Sequence, residues 1–459
     1  MTLIKSISGF RGTIGGKAGD NFTPVDIVES AAAYGEWIKE SNPSPTIMIG
    51  RDGRNSGPLV QQLVSATLQA QGIDVIDLGL TTTPSIEVYI PHKKATGGIM
   101  ISASHNPMEW NALKFFNEKG EFISAEDGQR IIEISRDRDF FFVSHEKIGS
   151  LSRDDGAIRY HINEILDHRW VLKDAVREKR LKVVVDCINS TGSISVLPLL
   201  KAFDCEIIPI NEEISGQFAH DPEPLVQNLT ELIDKVKTEK ADLGIAVDPD
   251  VDRVAFVDEN GDMFGEEYTI VAIADYLHDK GFIDRTVSNL SSSRALRDVT
   301  QSHKGEYFAS AVGEVNVVTE MKKRGAVFGG EGNGGVIAGD FHYGRDALIG
   351  VALFLSGFVH FERTVSEWKQ NLPSYEMAKV KVDLPSNTDP DQIIKTMVDR
   401  YKDENVNLID GLKIDFPEYW VHIRKSNTEP IFRIYTEAPT FEQAKEIART
   451  FKAEIQHLC

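Results

Sequence analysis

The sequence predicts an α/β fold: three α/β domains on mixed or mainly parallel sheets, then a C-terminal α+β domain. Three observations carry this. Short, β-branched apolar runs alternate with helix-length segments over most of the chain. From about residue 379 the pattern changes to closely spaced alternating strands followed by one helix. The 459 residues exceed what one hydrophobic core supports, so three or four domains are expected.

Taken in order, Thr46–Gly50 reads as a strand, Pro58–Gln71 as a helix and Asp74–Leu78 as the next strand. The apolar run Gly97–Ile101 reads as a buried strand. Leu181–Asp186 starts a second series that Asp242–Val247 ends; Thr286–Leu290 and Ala326–Phe328 belong to a third. Lys379–Asp383, Leu412–Asp415, Tyr419–Ile423 and Ile431–Tyr435 alternate apolar and polar residues as half-buried strands do. A final helix is expected over roughly Thr440–His457. Boundaries fall near Ser150–Asp155, after Arg253–Asp258 and near Leu372–Tyr375, giving domains 1–152, 153–256, 257–370 and 371–459. There is no strict repeat and no low-complexity segment.

Fifty Lys and Arg against 70 Asp and Glu give a formal net charge of −20. That disfavours nucleic-acid and anionic-membrane binding. An acidic chain that takes an anionic substrate must concentrate its cations locally, so Arg and Lys beside loop motifs carry weight. Three cysteines (Cys187, Cys205 and Cys459) show neither a disulfide framework nor a metal-ligand pattern. A reducing compartment fits, with Cys187 and Cys205 expected as small core residues. No signal-peptide pattern opens the sequence and no apolar run is long enough to span a bilayer, so the cytoplasm is expected.

Four loops carry the chemistry. Ser102-Ala-Ser104-His105-Asn-Pro107 follows the Gly97–Ile101 run, and Asn111-Ala-Leu-Lys114 comes soon after. A serine at the end of a buried strand is exposed by the turn and held by the strand, which suits a nucleophile or phosphate carrier; the same residues also make an ordinary turn. Asp248-Pro-Asp250-Val-Asp252-Arg253 places three carboxylates at alternate positions after a buried strand, where hard oxygen ligands converge on Mg²⁺. The glycine and glutamate that an EF-hand requires are missing. Arg253 adds a cation suited to a phosphate.

Phe328–Ile337 sets five glycines around Glu331 and Asn333. Glycines admit close backbone approach, and a buried Glu accepts from sugar hydroxyls; a plain hairpin is the competing reading. His342-Tyr-Gly-Arg345-Asp346 belongs either to that site or to a polar turn. His422-Ile-Arg424-Lys-Ser426-Asn427-Thr428-Glu-Pro430, then Arg433, gathers cations, hydroxyls and an amide, the parts of a phosphate clamp or of an exposed hairpin.

These four loops, in this order, resemble the α-D-phosphohexomutase superfamily, which includes phosphoglucomutase, phosphomannomutase and phosphoglucosamine mutase. The resemblance spans Gly9-Phe-Arg11-Gly12 to Arg433. It implies three related α/β domains and a C-terminal domain around a central cleft, each giving one loop. It also implies phosphoryl transfer between C1 and C6 of a hexose phosphate, through a phosphoserine enzyme and a hexose 1,6-bisphosphate that also serves as activator.

Residue by residue, Ser104 resembles the phosphorylated serine. Asp248, Asp250 and Asp252 resemble the Mg²⁺ ligands, with a Ser104 phosphate oxygen completing the set. Arg253 and Arg11 resemble phosphate-side cations, Lys114 the general acid/base, and His105 joins the catalytic set. Glu331 resembles the sugar-hydroxyl acceptor, and Asn333 takes a polar role beside it. Arg424, Ser426, Asn427, Thr428 and Arg433 resemble the clamp on the non-reacting phosphate. The partners implied are hexose phosphates, bound by a monomer or a homodimer.

The chain departs from the family pattern in three places. Val251 stands where the metal loop often has Gly, and Ala112 where Gly usually precedes the lysine. Glu331-Gly-Asn-Gly-Gly335 lacks the Ser-Gly-His continuation common in bacterial phosphomannomutases. That variant is similar to an archaeal-type subgroup assigned to glucosamine phosphate, so glucosamine 6-phosphate and glucosamine 1-phosphate are the expected pair. Glucose and mannose phosphates are the alternative. A Mg²⁺-dependent sugar-phosphate phosphatase and a catalytically dead sensor are the other classes.

Overall fold

The computed structural model describes residues 2–7, 9–385, 388–425 and 431–458. The chain divides into two compact units, Met1–Thr269 with Gly334–Trp368, and Ile270–Asn333 with Lys369–Cys459.

In the first unit, β1 (Ile4–Ser6), β2 (Gly9–Thr13), β3 (Thr46–Arg51), β4 (Asp74–Leu80), β5 (Gly97–Ile101), β6 (Trp110–Phe116) and β7 (Leu151–Arg153) form a sheet ordered β1-β2-β6-β5-β3-β4-β7. The sheet is mixed: β3 pairs parallel with β4 and β5, whereas β6 runs antiparallel to β5 and β2. Its two faces follow the strand period of two. Ile47 and Ile49 pack with Val60, Val64 and Leu68 of the helix Gly57–Ala70, while Met48 and Met100 pack with Ile86 and Ile90 of the helix Thr83–Lys93. β5 is buried along its whole length, so its C-terminal end is a rigid mount for the residues that follow.

A second sheet is ordered β11-β10-β8-β9, from β8 (Lys182–Asp186), β9 (Glu206–Ile210), β10 (Leu243–Val247) and β11 (Val254–Val257). The first three strands are parallel, and β11 returns antiparallel to β10. The hairpin between β10 and β11 carries the acidic motif. Gly334–Trp368 adds the helix Ala347–Phe361, whose residues 347–358 are all buried. Its Phe354 stacks on Phe256 of β11 with ring centroids 3.7 Å apart.

In the second unit, β12 (Arg285–Asn289) pairs parallel with both β13 (Glu306–Ser310) and β14 (Phe328–Glu331). After β15 (Gly335–Ala338), which lies in the first unit, the C-terminal part forms an antiparallel sheet ordered β16-β20-β19-β18-β17. Its strands are β16 (Glu376–Asp383), β17 (Asn405–Asn407), β18 (Leu412–Asp415), β19 (Trp420–Lys425) and β20 (Ile431–Ala438). Val382, Ile414, Ile423, Phe432 and Ile434 face a core closed by Phe451 and Ile455 of the helix Phe441–Leu458. The alternation expected from the sequence is thus present, with polar residues on the other face.

Two expectations are corrected. The strand expected from Ala326 begins at Phe328, because Gly325 (φ +65°) ends the preceding helix and the Ala326 N–H still bonds to Met321 O. Cys205 is partly exposed, at the turn before β9, whereas Cys187 is buried; Cys459 lies outside the described residues. Among the described residues, no helix is long and apolar enough to cross a membrane.

Candidate active site

The residues after β5 turn sharply. Ser104 adopts φ +50°, a left-handed conformation that costs a non-glycine residue about 1–2 kcal/mol. Its N–H bonds to Ser102 Oγ at 2.9 Å, and Ser102 Oγ donates to buried Asp52 at 2.7 Å. The Ser104 hydroxyl donates to Asp248 Oδ2 at 2.6 Å.

The acidic hairpin is built for convergence. The Val251 N–H bonds to Asp248 O at 3.0 Å, with Val251 at φ +62°. That angle accounts for the glycine usual at this position: a β-branched residue is an outlier there. Asp248 Oδ1 accepts from the N–H groups of Asp252 (3.0 Å) and Arg253 (3.1 Å), which folds the carboxylate back over the turn. Asp250 Oδ2 accepts from Lys114 Nζ at 2.6 Å and from Thr83 Oγ1. Asp252 Oδ2 accepts from Lys114 at 2.9 Å and from Arg345 at 2.8 Å.

Each aspartate contributes one oxygen to a group lying within 4.8 Å of one another, and all three residues are fully buried. Asp250 Oδ1 and Asp252 Oδ1 are buried without a hydrogen-bond partner among the described residues. Buried carboxylate oxygens left without a partner are costly alone, and a hard dication held by the triad would satisfy them. The donor set, all oxygen, suits Mg²⁺.

The electrostatics follow from burial and mutual charge. Burial, then Asp252 and Asp250, pushes the Asp248 carboxyl well above the usual carboxylate range. Burial also acts on Asp252, but Arg345, Lys114 and Arg253 outweigh it and hold its carboxyl well below that range. Burial lowers the Lys114 ammonium, yet Asp250 and Asp252 more than offset this and raise it. Asp250 and Asp252 thus hold Lys114 as a protonated cation in this arrangement. Counted as ionised, three carboxylates face three cations (Lys114, Arg253 and Arg345), so a dication held there would leave a net charge that a dianion such as a phosphate balances.

Other candidates fall around this centre. Arg253 is buried, 3.8 Å from Asp252 Oδ1, and its Nε has no hydrogen-bond partner among the described residues, a donor suited to an anion. His105 Nδ1 is 3.4 Å from Ser104 Oγ, too far for a strong bond to a hydroxyl whose proton serves Asp248. Burial, then Arg253, Arg345 and Arg11, pushes the His105 imidazole down to about 2, so it stays neutral. Arg11 is exposed on β2, opposite Ala112 of β6, and close enough for its charge to act on His105. Ala112 leaves Lys114, two residues on along the same strand face, in reach of both aspartates.

Arg345 is the residue that sequence reasoning left undecided. Its neighbour Asp346 accepts at Oδ1 from the N–H groups of Leu348 and Ile349, capping the helix Ala347–Phe361, while Oδ2 meets His161 at 2.9 Å and His342 at 3.1 Å. The cap aims Arg345 at Asp252. The only signal in the sequence was a cation beside a helix-capping residue.

In the second unit, Glu331 is buried at the end of β14 and accepts at Oε1 from Asn289 Nδ2 (2.8 Å) and Gly313 N (3.1 Å). Asn333 is half-buried two residues on. Arg424 on β19 pairs with Asp410 at 2.9 Å and stands directly opposite Arg433 on β20, which stands opposite Lys381 on β16. Like charges directly across strands repel, so this row of three cations suits an anion. Lys381 escaped sequence reasoning because strand pairing, not spacing, puts it there. Ser426, Asn427 and Thr428 lie outside the described residues.

Comparison with known proteins agrees with this geometry. Models of phosphoglucomutase/phosphomannomutase α/β/α domains I, II and III match residues 4–141, 159–261 and 265–375, and that of the C-terminal domain matches 377–454. A probable phosphoglucosamine mutase of Methanopyrus kandleri is 32% identical over 95% of each chain. A phosphoglucomutase/phosphomannomutase of Thermococcus kodakarensis is 33% identical over 95% of this chain and 96% of its own. The crystal structure of a phosphoglucomutase/phosphomannomutase family protein from Burkholderia thailandensis superposes with a TM-score of 0.85 at 22% identity, covering 99% of this chain and 97% of that one. Serine loop, aspartate triad and four consecutive domain matches lead to one conclusion: the chain belongs to the phosphoglucomutase/phosphomannomutase family, within the α-D-phosphohexomutase superfamily, and is a mutase, an intramolecular phosphotransferase.

Proposed function

We propose that this phosphohexomutase interconverts glucosamine 6-phosphate and glucosamine 1-phosphate, with Ser104 as the phosphoryl carrier. The observation that carries the mechanism is the 2.6 Å bond from Ser104 Oγ to Asp248 inside the aspartate triad. Asp248, Asp250, Asp252 and a phosphate oxygen on Ser104 would hold Mg²⁺. When bound, Mg²⁺ neutralises charge on the phosphoryl oxygens during transfer.

The chain's own groups do the rest. Arg253 and Arg11 hold the phosphoryl group from the cationic side. Lys114, kept protonated by the aspartates, would deliver a proton to the departing Ser104 oxygen as the phosphoryl group passes to a sugar hydroxyl, and would regain one from that hydroxyl as the new P–O bond forms, so the proton count is unchanged. The hexose 1,6-bisphosphate so formed reverses its orientation. Its other phosphate returns to Ser104, leaving the isomerised monophosphate. Glu331 accepts from sugar hydroxyls with Asn333 beside it, and Arg424, Arg433 and the 426–428 segment bind the phosphate that is not reacting. Added hexose 1,6-bisphosphate would act as activator by rephosphorylating Ser104.

The M. kandleri relative and the Glu331–Gly335 variant support glucosamine phosphate. The T. kodakarensis relative supports the second reading, a phosphoglucomutase/phosphomannomutase of broad specificity. A coupled assay with Mg²⁺ and a trace of hexose 1,6-bisphosphate, run in parallel on glucosamine, N-acetylglucosamine, glucose and mannose phosphates, separates them. The lead reading expects a kcat/KM at least about tenfold higher for glucosamine phosphate, roughly 1.4 kcal/mol. Similar values for glucose and mannose phosphates would establish the broad reading instead.

A further inference from the structure

We infer that Arg54 is a positioning residue that fixes Ser104 against the aspartate triad, an assignment that rests on Ser104 being the phosphoryl carrier. Arg54 and Asp52 are both fully buried in the loop after β3. All five guanidinium N–H donors are used. Nε donates to Asp52 Oδ2 at 3.0 Å. Nη1 donates to the carbonyls of Pro107 (2.6 Å) and Trp110 (3.1 Å), and Nη2 to those of Ser104 (2.5 Å) and Asn106 (2.7 Å). Four carbonyls of one loop therefore converge on a single planar fork.

The same loop holds Ser104 from its other end. Asp52 Oδ2 also accepts from Ser102 Oγ at 2.7 Å, and that oxygen accepts the Ser104 N–H at 2.9 Å. Ser104 is thus gripped at its N–H through Ser102 and Asp52 and at its carbonyl by Arg54. A residue at φ +50° relaxes unless its surroundings over-determine it, and this pair of grips does so.

The neighbour between them reaches the metal loop. The Gly53 N–H donates to Ser190 Oγ at 3.0 Å, and Ser190 Oγ donates to Pro249 O at 2.6 Å, between Asp248 and Asp250. Thr191 Oγ1 donates to the same carbonyl at 2.8 Å. A Cβ at position 53 would meet Ser190 Cα at 2.9 Å, so only glycine lets the two loops approach this closely. Three consecutive residues, 52–54, therefore set the separation of the phosphoryl carrier from its aspartates. Error of about 1 Å in such a separation costs on the order of 100-fold in rate.

Arg54→Lys tests this. Lysine keeps the charge beside Asp52 but offers its donors from one point and cannot span four fanned carbonyls. Substrate contacts are untouched, so kcat, normalised to the folded fraction measured by circular dichroism, is expected to fall roughly 100-fold with KM within about threefold of wild type; that normalisation separates the effect from a general loss of folded enzyme, which also lowers apparent kcat at unchanged KM. Ser102→Ala, a smaller change that cuts the other grip, is expected to lower kcat about tenfold at unchanged KM, and it decides the matter if Arg54→Lys does not fold. Wild-type kcat in either folded variant overturns the inference. Ser104→Ala in the same assay separates this from the parent reading. Turnover by Ser104→Ala would remove the phosphoserine mechanism itself; an inactive Ser104→Ala beside fully active Arg54 and Ser102 variants would remove only the positioning role.

Discussion

Arg345 donates to Asp252 Oδ2 at 2.8 Å from a loop 93 positions further along the chain, sharing that oxygen with Lys114. Two cations on one buried carboxylate oxygen hold Asp252 ionised, and its other oxygen, Oδ1, has no hydrogen bond among the described residues. Arg345→Gln is expected to lower kcat by roughly 10- to 100-fold, about 1.4–2.7 kcal/mol of transition-state stabilisation, with partial recovery in Arg345→Lys. Steady-state kinetics of the two variants check this; equal rates for Gln and wild type would remove Arg345 from the site.

Asp250→Asn removes one carboxylate charge from the triad while keeping its volume. Mg²⁺ affinity, measured by calorimetry on the protein alone, is expected to fall by about tenfold or more, since ligand charge dominates hard-cation binding. Unchanged Mg²⁺ binding would show that the ion sits elsewhere.

Lys413 is buried, donates to Leu290 O at 2.8 Å and lies 4.1 Å from the Trp420 ring. Burial pushes its ammonium down to about 8 from 10.5. Below pH 8 both folded and unfolded chains carry the proton, and the folded state bears the full cost of burying it. Between 8 and 10.5 the unfolded chain binds the proton and the folded chain does not, so this contribution to stability rises with pH. Lys413→Met is therefore expected to unfold at a higher temperature than wild type near pH 7, with the gap closing toward pH 10. A gap that widens with pH would contradict this.

Lys381 stands in register with Arg433 and Arg424. If the row binds the non-reacting phosphate, Lys381→Ala raises KM about threefold at unchanged kcat and flattens the dependence of KM on salt. A kcat effect alone would place Lys381 outside the binding surface.

Much of this was legible because short-range chemistry decided it. The Ser104 turn, the Asp248–Asp252 spacing and the alternating C-terminal strands announce themselves within ten residues. What stayed hidden depends on chain segments far apart in sequence. Arg345 reads as part of a polar turn until the Asp346 cap fixes its direction. Arg54 carries no local signal of its place, which is set only where four carbonyls from residues 104–110 surround it. Val251 looked like a simple departure; its left-handed φ shows why glycine is usual there and that the turn forms without it. Compactness is a property of the folded chain and has no local signal. The segment 334–368 belongs with the first compact unit although 270–333, which precedes it in sequence, belongs with the second.

The helix Ala347–Phe361 has a consequence for how this enzyme fails. Its residues are buried along three turns, its first turn is capped by Asp346, and mid-helix Phe354 stacks on Phe256. Such a segment is among the last to exchange its hydrogens. Arg345 sits two residues before its first residue, next to the Asp346 cap. Phe354→Leu, which removes the ring stacked on Phe256, would therefore lower the melting temperature and the turnover together.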